Sequence, residues 1–187
     1  QRLLAYLELL VKWNKVYNLT AIRDPAQMLS HHILDSLSIV TYVRGPRVLD
    51  MGCGAGLPGI PLALARSDCQ VVMMDANAKK TRFVQQAITE LGLNNAEVVH
   101  ARAEDYTAPG AFDTVTSRAF SSLEDFLALA SPYLAQGGQL LAMKGRYPSQ
   151  ELEITINQFR LIAVHQLEVP FLDSERHLVE MERTETV

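Results

Sequence analysis

Asp50 and the four glycines after it, Gly52, Gly54, Gly56 and Gly59, are the residues whose types and spacing point most directly to chemistry. They follow an apolar run over 47–51 and precede a second over 60–65. The first run has the length and β-branched character of a buried strand, and the second reads as a helix. Glycines at such a junction let the chain turn sharply and bring main-chain N–H groups within contact distance of a ligand. Asp50 then constrains the ligand's charge. A carboxylate at the strand end, under the loop, repels a pyrophosphate and suits a ligand with cationic groups. Asp75, at the end of the next apolar run, can accept both hydroxyls of a ribose or cap the following helix.

Two patterns overlap in this loop. Residues 54–59 match the dinucleotide fingerprint G-x-G-x-x-G, with the acidic Asp75 about 20 residues further on. Read from Asp50, the same stretch is D-x-G-x-G-x-G, which resembles motif I of S-adenosylmethionine-dependent methyltransferases. S-adenosylmethionine presents an ammonium and a sulfonium, so the charge argument favours the second reading. The bland alternative, a glycine-rich turn with no ligand, has to account for four glycines beside a strand-end carboxylate.

The surrounding pattern predicts the scaffold. An amphipathic helix is expected over 1–17, with Leu3, Leu4, Leu7, Leu10 and Val11 on one face. Asp24-Pro25 reads as an N-cap and first helical position; a short helix follows to about 29 and another to about 42. From residue 47 strands and helices alternate. Strands are expected over 47–51, 70–74, 96–100, 112–116 and 139–143, with helices over 58–66, 78–91, 123–134 and 149–155. Two terminal strands, over 159–169 and 176–181, are close enough in sequence to pair antiparallel. This is a doubly wound α/β sheet. Parallel apart from an antiparallel last strand, it resembles the class I S-adenosylmethionine-dependent methyltransferase fold, a Rossmann-like sheet, here with an N-terminal helical extension. Residues 1–45 are read as that extension, packed on a methyltransferase domain over 46–187.

Ligands of open α/β sheets bind beyond the C-terminal strand ends. The third strand leads to Ala103 and Glu104, whose carbonyl and N–H suit the edge of an adenine in this fold. The fourth ends at Ser117-Arg118-Ala119-Phe120, and the fifth at Lys144-Gly145-Arg146. Methyltransferases acting on exocyclic amino groups carry Asn/Asp-Pro-Pro-aromatic at the fourth strand end, and those making 5-methylcytosine need a nearby thiol. Cys53 and Cys69 lie on other strands, so neither chemistry fits. His31, His32 and Asp35 do not read as a metal site, because adjacent residues on a helix point apart.

Composition narrows the partners. The 187 residues carry a formal net charge of −4, are 48% hydrophobic and 20% charged, and contain two cysteines. Such a chain supports one domain with an extension in a reducing, cytoplasmic setting, with no membrane span. The first residue is Gln1, so an upstream start is expected, and no secretory signal is read. A net negative chain is not a strong nonspecific nucleic-acid binder. An RNA substrate would be met by a local basic face, for which Lys144 and Arg146 are the leading candidates. Arg23, Lys79, Lys80 and Arg82 are weaker ones, a charge run on a helix usually being a solvated face.

Several stretches together are similar to the RsmG (GidB) family. They are Lys12-Trp-Asn-Lys-Val-Tyr-Asn-Leu-Thr-Ala-Ile22, His32-Ile-Leu-Asp-Ser-Leu37, residues 49–61, Ala103-Glu104 and Ser117-Arg-Ala-Phe120. They span nearly the whole chain in order. The resemblance implies transfer of a methyl group from S-adenosylmethionine, leaving S-adenosylhomocysteine, to N7 of a guanosine in 16S ribosomal RNA. It implies a target within the small ribosomal subunit or an assembly intermediate. It also implies cofactor contacts at Gly52, Leu57, Ala103, Glu104 and Arg118, beside Asp50, Gly54 and Asp75 from the motif itself. No general base or metal is implied, and Arg118 is the one candidate for a direct catalytic part. Its bland alternative is an ion pair with Glu104 or Asp105. Two other functions compete: a small-molecule methyltransferase using the N-terminal helices as a lid, and a binding module that keeps the fold without catalysis.

Overall fold

The computed structural model describes residues 1–118, 120, 122–152 and 159–184. Seven strands form one sheet: β1 (Arg47–Met51), β2 (Gln70–Asp75), β3 (Ala96–His100), β4 (Phe112–Ser117), β5 (Leu134–Lys144), β6 (Phe159–Gln166) and β7 (His177–Arg183). Their order is β3-β2-β1-β4-β5-β7-β6. The pairs from β3 through β5 are parallel, and β7 runs antiparallel to both β5 and β6. This is the expected mostly parallel sheet with an antiparallel last strand.

The period-2 alternation of the strands divides the core into two layers. Val48, Val71, Met73, Leu141 and Leu178 face one side of the sheet. That side is covered by α1 (Arg2–Tyr17), α4 (Gly59–Ala65) and α5 (Ala78–Glu90). Leu49, Met51, Val72, Met74, Val115 and Leu140 face the other side, under α6 (Leu123–Ala130). Asp50 shares the parity of Val48 and therefore points toward α4. The apolar face of α1 is seated on α5: Trp13 and Tyr6 pack against Phe83 with ring centroids 5.6 and 6.3 Å apart.

Several expected elements differ, among them the strand expected over 159–169, which ends at Gln166. The two short helices after Asp24 are one helical run, α2 (Pro25–Met28), a π-helical stretch (Leu29–Leu34) and α3 (Asp35–Leu37), followed by a 3-10 turn at Val40–Tyr42. The helix expected to reach residue 134 stops at Ala130, because Ser131-Pro132-Tyr133 tightens into a 3-10 turn. β5 consequently starts at Leu134 instead of 139; Gly137, at φ 71°, and a register shift opposite 112–114 accommodate the added residues. Of the helix expected over 149–155, α7 (Ser149–Leu152) is seen, and 153–155 lie outside the described residues. Among the described residues no helix is long and apolar enough to cross a membrane.

Candidate active site

The loop between β1 and α4 is held almost entirely by backbone donors. Gly52 and Cys53 donate their N–H groups to the Met74 carbonyl at 2.8 and 2.9 Å. Gly54 donates to Asp75 Oδ2 at 2.9 Å, and Gly59 donates to Asp50 Oδ2 at 2.8 Å. Each bond joins the loop to the end of a neighbouring strand, so the parallel register of β1 with β2 sets the loop's shape. Gly59 lies so close to β2 that a Cβ there would meet Met73 Cγ at 2.3 Å. Gly54, at φ 58°, faces open space instead: a Cβ there would find only Lys80 Nζ, at 4.0 Å. The loop is packed from below and open above.

Asp50 is fully buried. Its carboxylate is therefore the loop's anchor as well as a negative charge beneath it. Burial pushes its pKa up to about 7, against the opposing pull of the Gly59 N–H and the charge of Arg118. Oδ1 of Asp50 is buried without a hydrogen-bond partner among the described residues. An acceptor left over beside an open glycine loop fits a ligand with a cationic donor. The loop is braced from the N-terminal extension by Tyr6, whose hydroxyl donates to the Ala55 carbonyl at 2.6 Å. Sequence reading missed this brace; its only signal was a tyrosine on the apolar face of the first helix.

A cleft of about 260 Å³ opens at the C-terminal ends of β1, β2 and β3. Gly52, Asp75, Ala103 and Glu104 line it together, with Phe120 at one side. Asp75 accepts from the backbone N–H groups of both Gly54 and Asn77, so the two functions weighed for it, ligand contact and local capping, draw on the same carboxylate. The Ala103 carbonyl accepts from the Tyr133 hydroxyl, which leaves it a second lone pair. Leu57 is buried in the core beneath the loop and does not line this cleft.

Phe120 also lines a second cleft, of about 380 Å³, between the ends of β4 and β5 and the segment 145–151. Arg118, Lys144, Gly145 and Arg146 line it too. Lys144 Nζ bonds both oxygens of Glu151, at 3.1 and 2.8 Å, so its charge is balanced locally. Arg118 does not pair with Glu104 or Asp105, the partners weighed from the sequence. Its Nη1 instead donates to the His31 carbonyl at 3.1 Å and to Asp35 Oδ2 at 3.3 Å, both on the helical run of the extension. Arg176 reaches the other oxygen of Asp35 from the start of β7, at 2.9 Å. Ala119, inside the Ser117–Phe120 stretch, lies outside the described residues.

His32 is not available as a ready cation. His32 Nε2 lies 2.8 Å from Thr20 Oγ1, and burial together with Arg118 lowers its pKa to about 4. His31 Nδ1 is 3.0 Å from both Ser30 Oγ and the Gln27 carbonyl. Both thiols are buried; Cys53 lies inside the loop, and burial with the nearby Asp50 and Asp75 raises its pKa well above the ordinary thiol value. The site therefore presents backbone donors, carboxylates and guanidinium groups, with no activated nucleophile among the described residues.

Residues 1–179 match the family model described as GidB, rRNA small subunit methyltransferase G. A ribosomal RNA small subunit methyltransferase G from Nitrosococcus oceani is 54% identical over 179 residues, covering 96% of this chain and 84% of the relative. One from Methylococcus capsulatus is 50% identical over 184 residues, covering 98% and 89%. Among solved structures, magnesium protoporphyrin IX methyltransferase from Synechocystis aligns with a TM-score of 0.67 at 16% identity, covering 98% of each chain. A tRNA (m1A58) methyltransferase from Aquifex aeolicus aligns with a TM-score of 0.61 at 15% identity, covering 82% of this chain and 69% of that one. At those identities the structural likeness is one of fold.

Proposed function

Because the chain belongs to the rRNA small subunit methyltransferase G (GidB) family, we propose that it methylates N7 of a guanosine in 16S ribosomal RNA. Membership makes it an S-adenosylmethionine-dependent enzyme acting on small-subunit rRNA. The finer reading is the N7 position, with the small subunit or an assembly intermediate as the target in the cytoplasm. One observation supports it most: among the described residues the cleft beside Phe120 is lined by no thiol and no histidine, and its one carboxylate, Glu151, is already bonded to Lys144. Guanine N7 carries an in-plane lone pair and no proton, so its methylation needs no base.

S-adenosylmethionine, when bound, supplies an electrophilic methyl group on a sulfonium. In our reading Gly52, Gly54, Leu57, Ala103 and Glu104 hold it, Asp75 accepts from its ribose, and Asp50 carries the negative charge beneath its cationic end. Leu57 acts there through the loop's backbone, its side chain being buried. Arg118 orients cofactor and RNA at the junction of the clefts, leaning on the extension. The remaining task of the chain is orientation and proximity, worth up to ~7–11 kcal/mol in favourable cases. The product base is cationic, so a nearby carboxylate or carbonyl serves it better than a free lysine would, and Lys144 in the cleft is paired with Glu151.

Methyl-tritiated cofactor, incubated with small ribosomal subunits from cells lacking this chain, tests the proposal. Label should appear in 16S RNA, at a site that becomes cleavable by aniline after borohydride reduction, as N7-methylguanosine does. Label in small metabolites with none in RNA would overturn it in favour of a small-molecule methyltransferase.

A further inference from the structure

We propose that Arg118 and Arg176, held together by Asp35, form a pocket for a backbone phosphate of the substrate RNA strand. The inference rests on the RNA reading above and deepens it. Asp35 sits in the extension with only 3% of its side chain exposed. Its two oxygens are divided between two guanidinium groups, Arg118 Nη1 at 3.3 Å and Arg176 Nε at 2.9 Å. The three residues come from the extension, the end of β4 and the start of β7, 83 and 141 positions from Asp35 along the chain.

The charge count sets this cluster apart from an ordinary tie. One guanidinium would neutralise Asp35. Among the described residues neither guanidinium has another carboxylate in ion-pair contact, so two partly buried cations share one anion, and a further anion would complete the set. His32 beside Arg118 adds no positive charge, since burial holds its pKa near 4. Lys144, across the same cleft, is already matched by Glu151. The surplus therefore belongs to the guanidinium groups, whose planar forks suit phosphate oxygens.

Geometry supports the same occupant. Among the described residues the bonds of Arg118 leave from Nη1, and those of Arg176 from Nε and Nη1, the latter to Ser174 Oγ and the Glu175 carbonyl. Donors remain on both groups. Arg118 and Arg176 together line a cleft of about 310 Å³ with Ile22, His31 and Gly145. Arg118 is shared with the cleft at the end of β5, and Phe120 is shared between that cleft and the one holding Gly52 and Asp75. A phosphate bound between Arg118 and Arg176 would place its neighbouring nucleotide in the middle cleft, beside the methyl donor's site. In a chain of net charge −4, one such local surplus also decides where a polyanion can approach.

The test separates binding from methyl transfer. The chain, labelled with a dye, is titrated with small ribosomal subunits at several salt concentrations, and methyl transfer to the same subunits is measured independently. Arg176→Gln should weaken binding about tenfold or more and reduce the salt slope by about one. Its dissociation constant for S-adenosylmethionine should stay within about twofold of wild type, because Arg176 lines the outer cleft and not the one holding Gly52 and Asp75. Arg176→Lys, which keeps the ion pair with Asp35 and guards against misfolding of the first variant, should restore the slope while recovering the affinity only in part. A lowered melting temperature with unchanged affinity and slope would overturn the pocket, leaving Arg176 as a fastener between the β6–β7 hairpin and the extension. Binding that depends on Arg176 but yields no label in RNA with wild-type protein would instead sink the proposed function and leave the pocket standing.

Discussion

The two halves of the cleft are built by different means. Around the glycine loop, main-chain N–H groups meet a carbonyl or a carboxylate no more than about 22 positions away, as Gly54 meets Asp75 and Gly59 meets Asp50. At the other half, long side chains from the end of β4 and the start of β7 converge on one buried carboxylate of the extension, across 83 and 141 positions. The first half is a product of local turn geometry and parallel register. The second exists only when three distant segments are docked. A substitution in the first should therefore act on cofactor binding, and one in the second on substrate use and on attachment of the extension.

The sharpest way to break this division is at Asp35. Asp35→Ala leaves two guanidinium groups facing each other without their shared anion, and stability should fall by about 3 kcal/mol. That is the low end of the range for stripping a buried pair, since both arginines are partly exposed. Denaturant midpoints measure it; cofactor affinity of the folded fraction should change far less. Arg118→Ala should reduce methyl transfer at least about 100-fold, the cost of mispositioned reactants. The melting temperature should fall by only a few degrees, because Arg176 keeps Asp35 paired. A large loss of stability there would make Arg118 a fastener and blur the two halves.

In the loop, Gly59→Ala would drive a Cβ to 2.3 Å from Met73 Cγ and 2.8 Å from Asp50 Oδ2. We expect a loss of about 1–3 kcal/mol by overpacking, with cofactor binding, read by calorimetry, lost alongside it. Asp50 provides a pH-dependent measure of the same half. Its folded pKa of about 7 lies above the unfolded value, so the native state holds a proton that the unfolded state has already released. Its contribution to stability therefore falls as pH rises from about 4 to about 7. Asp50→Asn lacks that titration, so its melting temperature should gain on wild type across the same window; a constant difference would mean that the buried carboxylate does not titrate there. The smallest effect is expected at Arg146, exposed at the rim of the middle cleft. Arg146→Gln should lower the salt slope of subunit binding by about one or less, with methyl transfer to saturating subunits unchanged.

Much of the cofactor half was legible because its determinants are local. Period and length placed β1 and β3 at their observed residues and β2 within one. Asn77 accepts from Lys79 N and Lys80 N, as its position before a helix implied. The motif placed Asp50 under the loop, although its attachment to Gly59 N and its complete burial are consequences of strand parity and the packing of α4. The other half was less legible. Arg118 was singled out, but its partner was sought in the nearby Glu104 and Asp105, whereas docking of the extension supplied Asp35. Arg176 carried no signal at all, being one charge in a polar hairpin. Asp35 was visible only within the His32–Leu37 stretch and beside His31 and His32, with nothing to mark it as the partner of two arginines.

A strand that ends in a carboxylate and runs through glycines into a helix folds the same way wherever it occurs, since the turn and the parallel pairing leave few other conformations. That is why the fold, the loop and the kind of ligand could be read from residue order. Charge pairing over 83 or 141 positions has no such local rule. Which arginine shares Asp35, which lysine is already neutralised by Glu151, and which N–H groups still face a cleft depend on how the extension and the β6–β7 hairpin close over the strand ends. Only the packed chain decides them, because burial and distance set the worth of each charge.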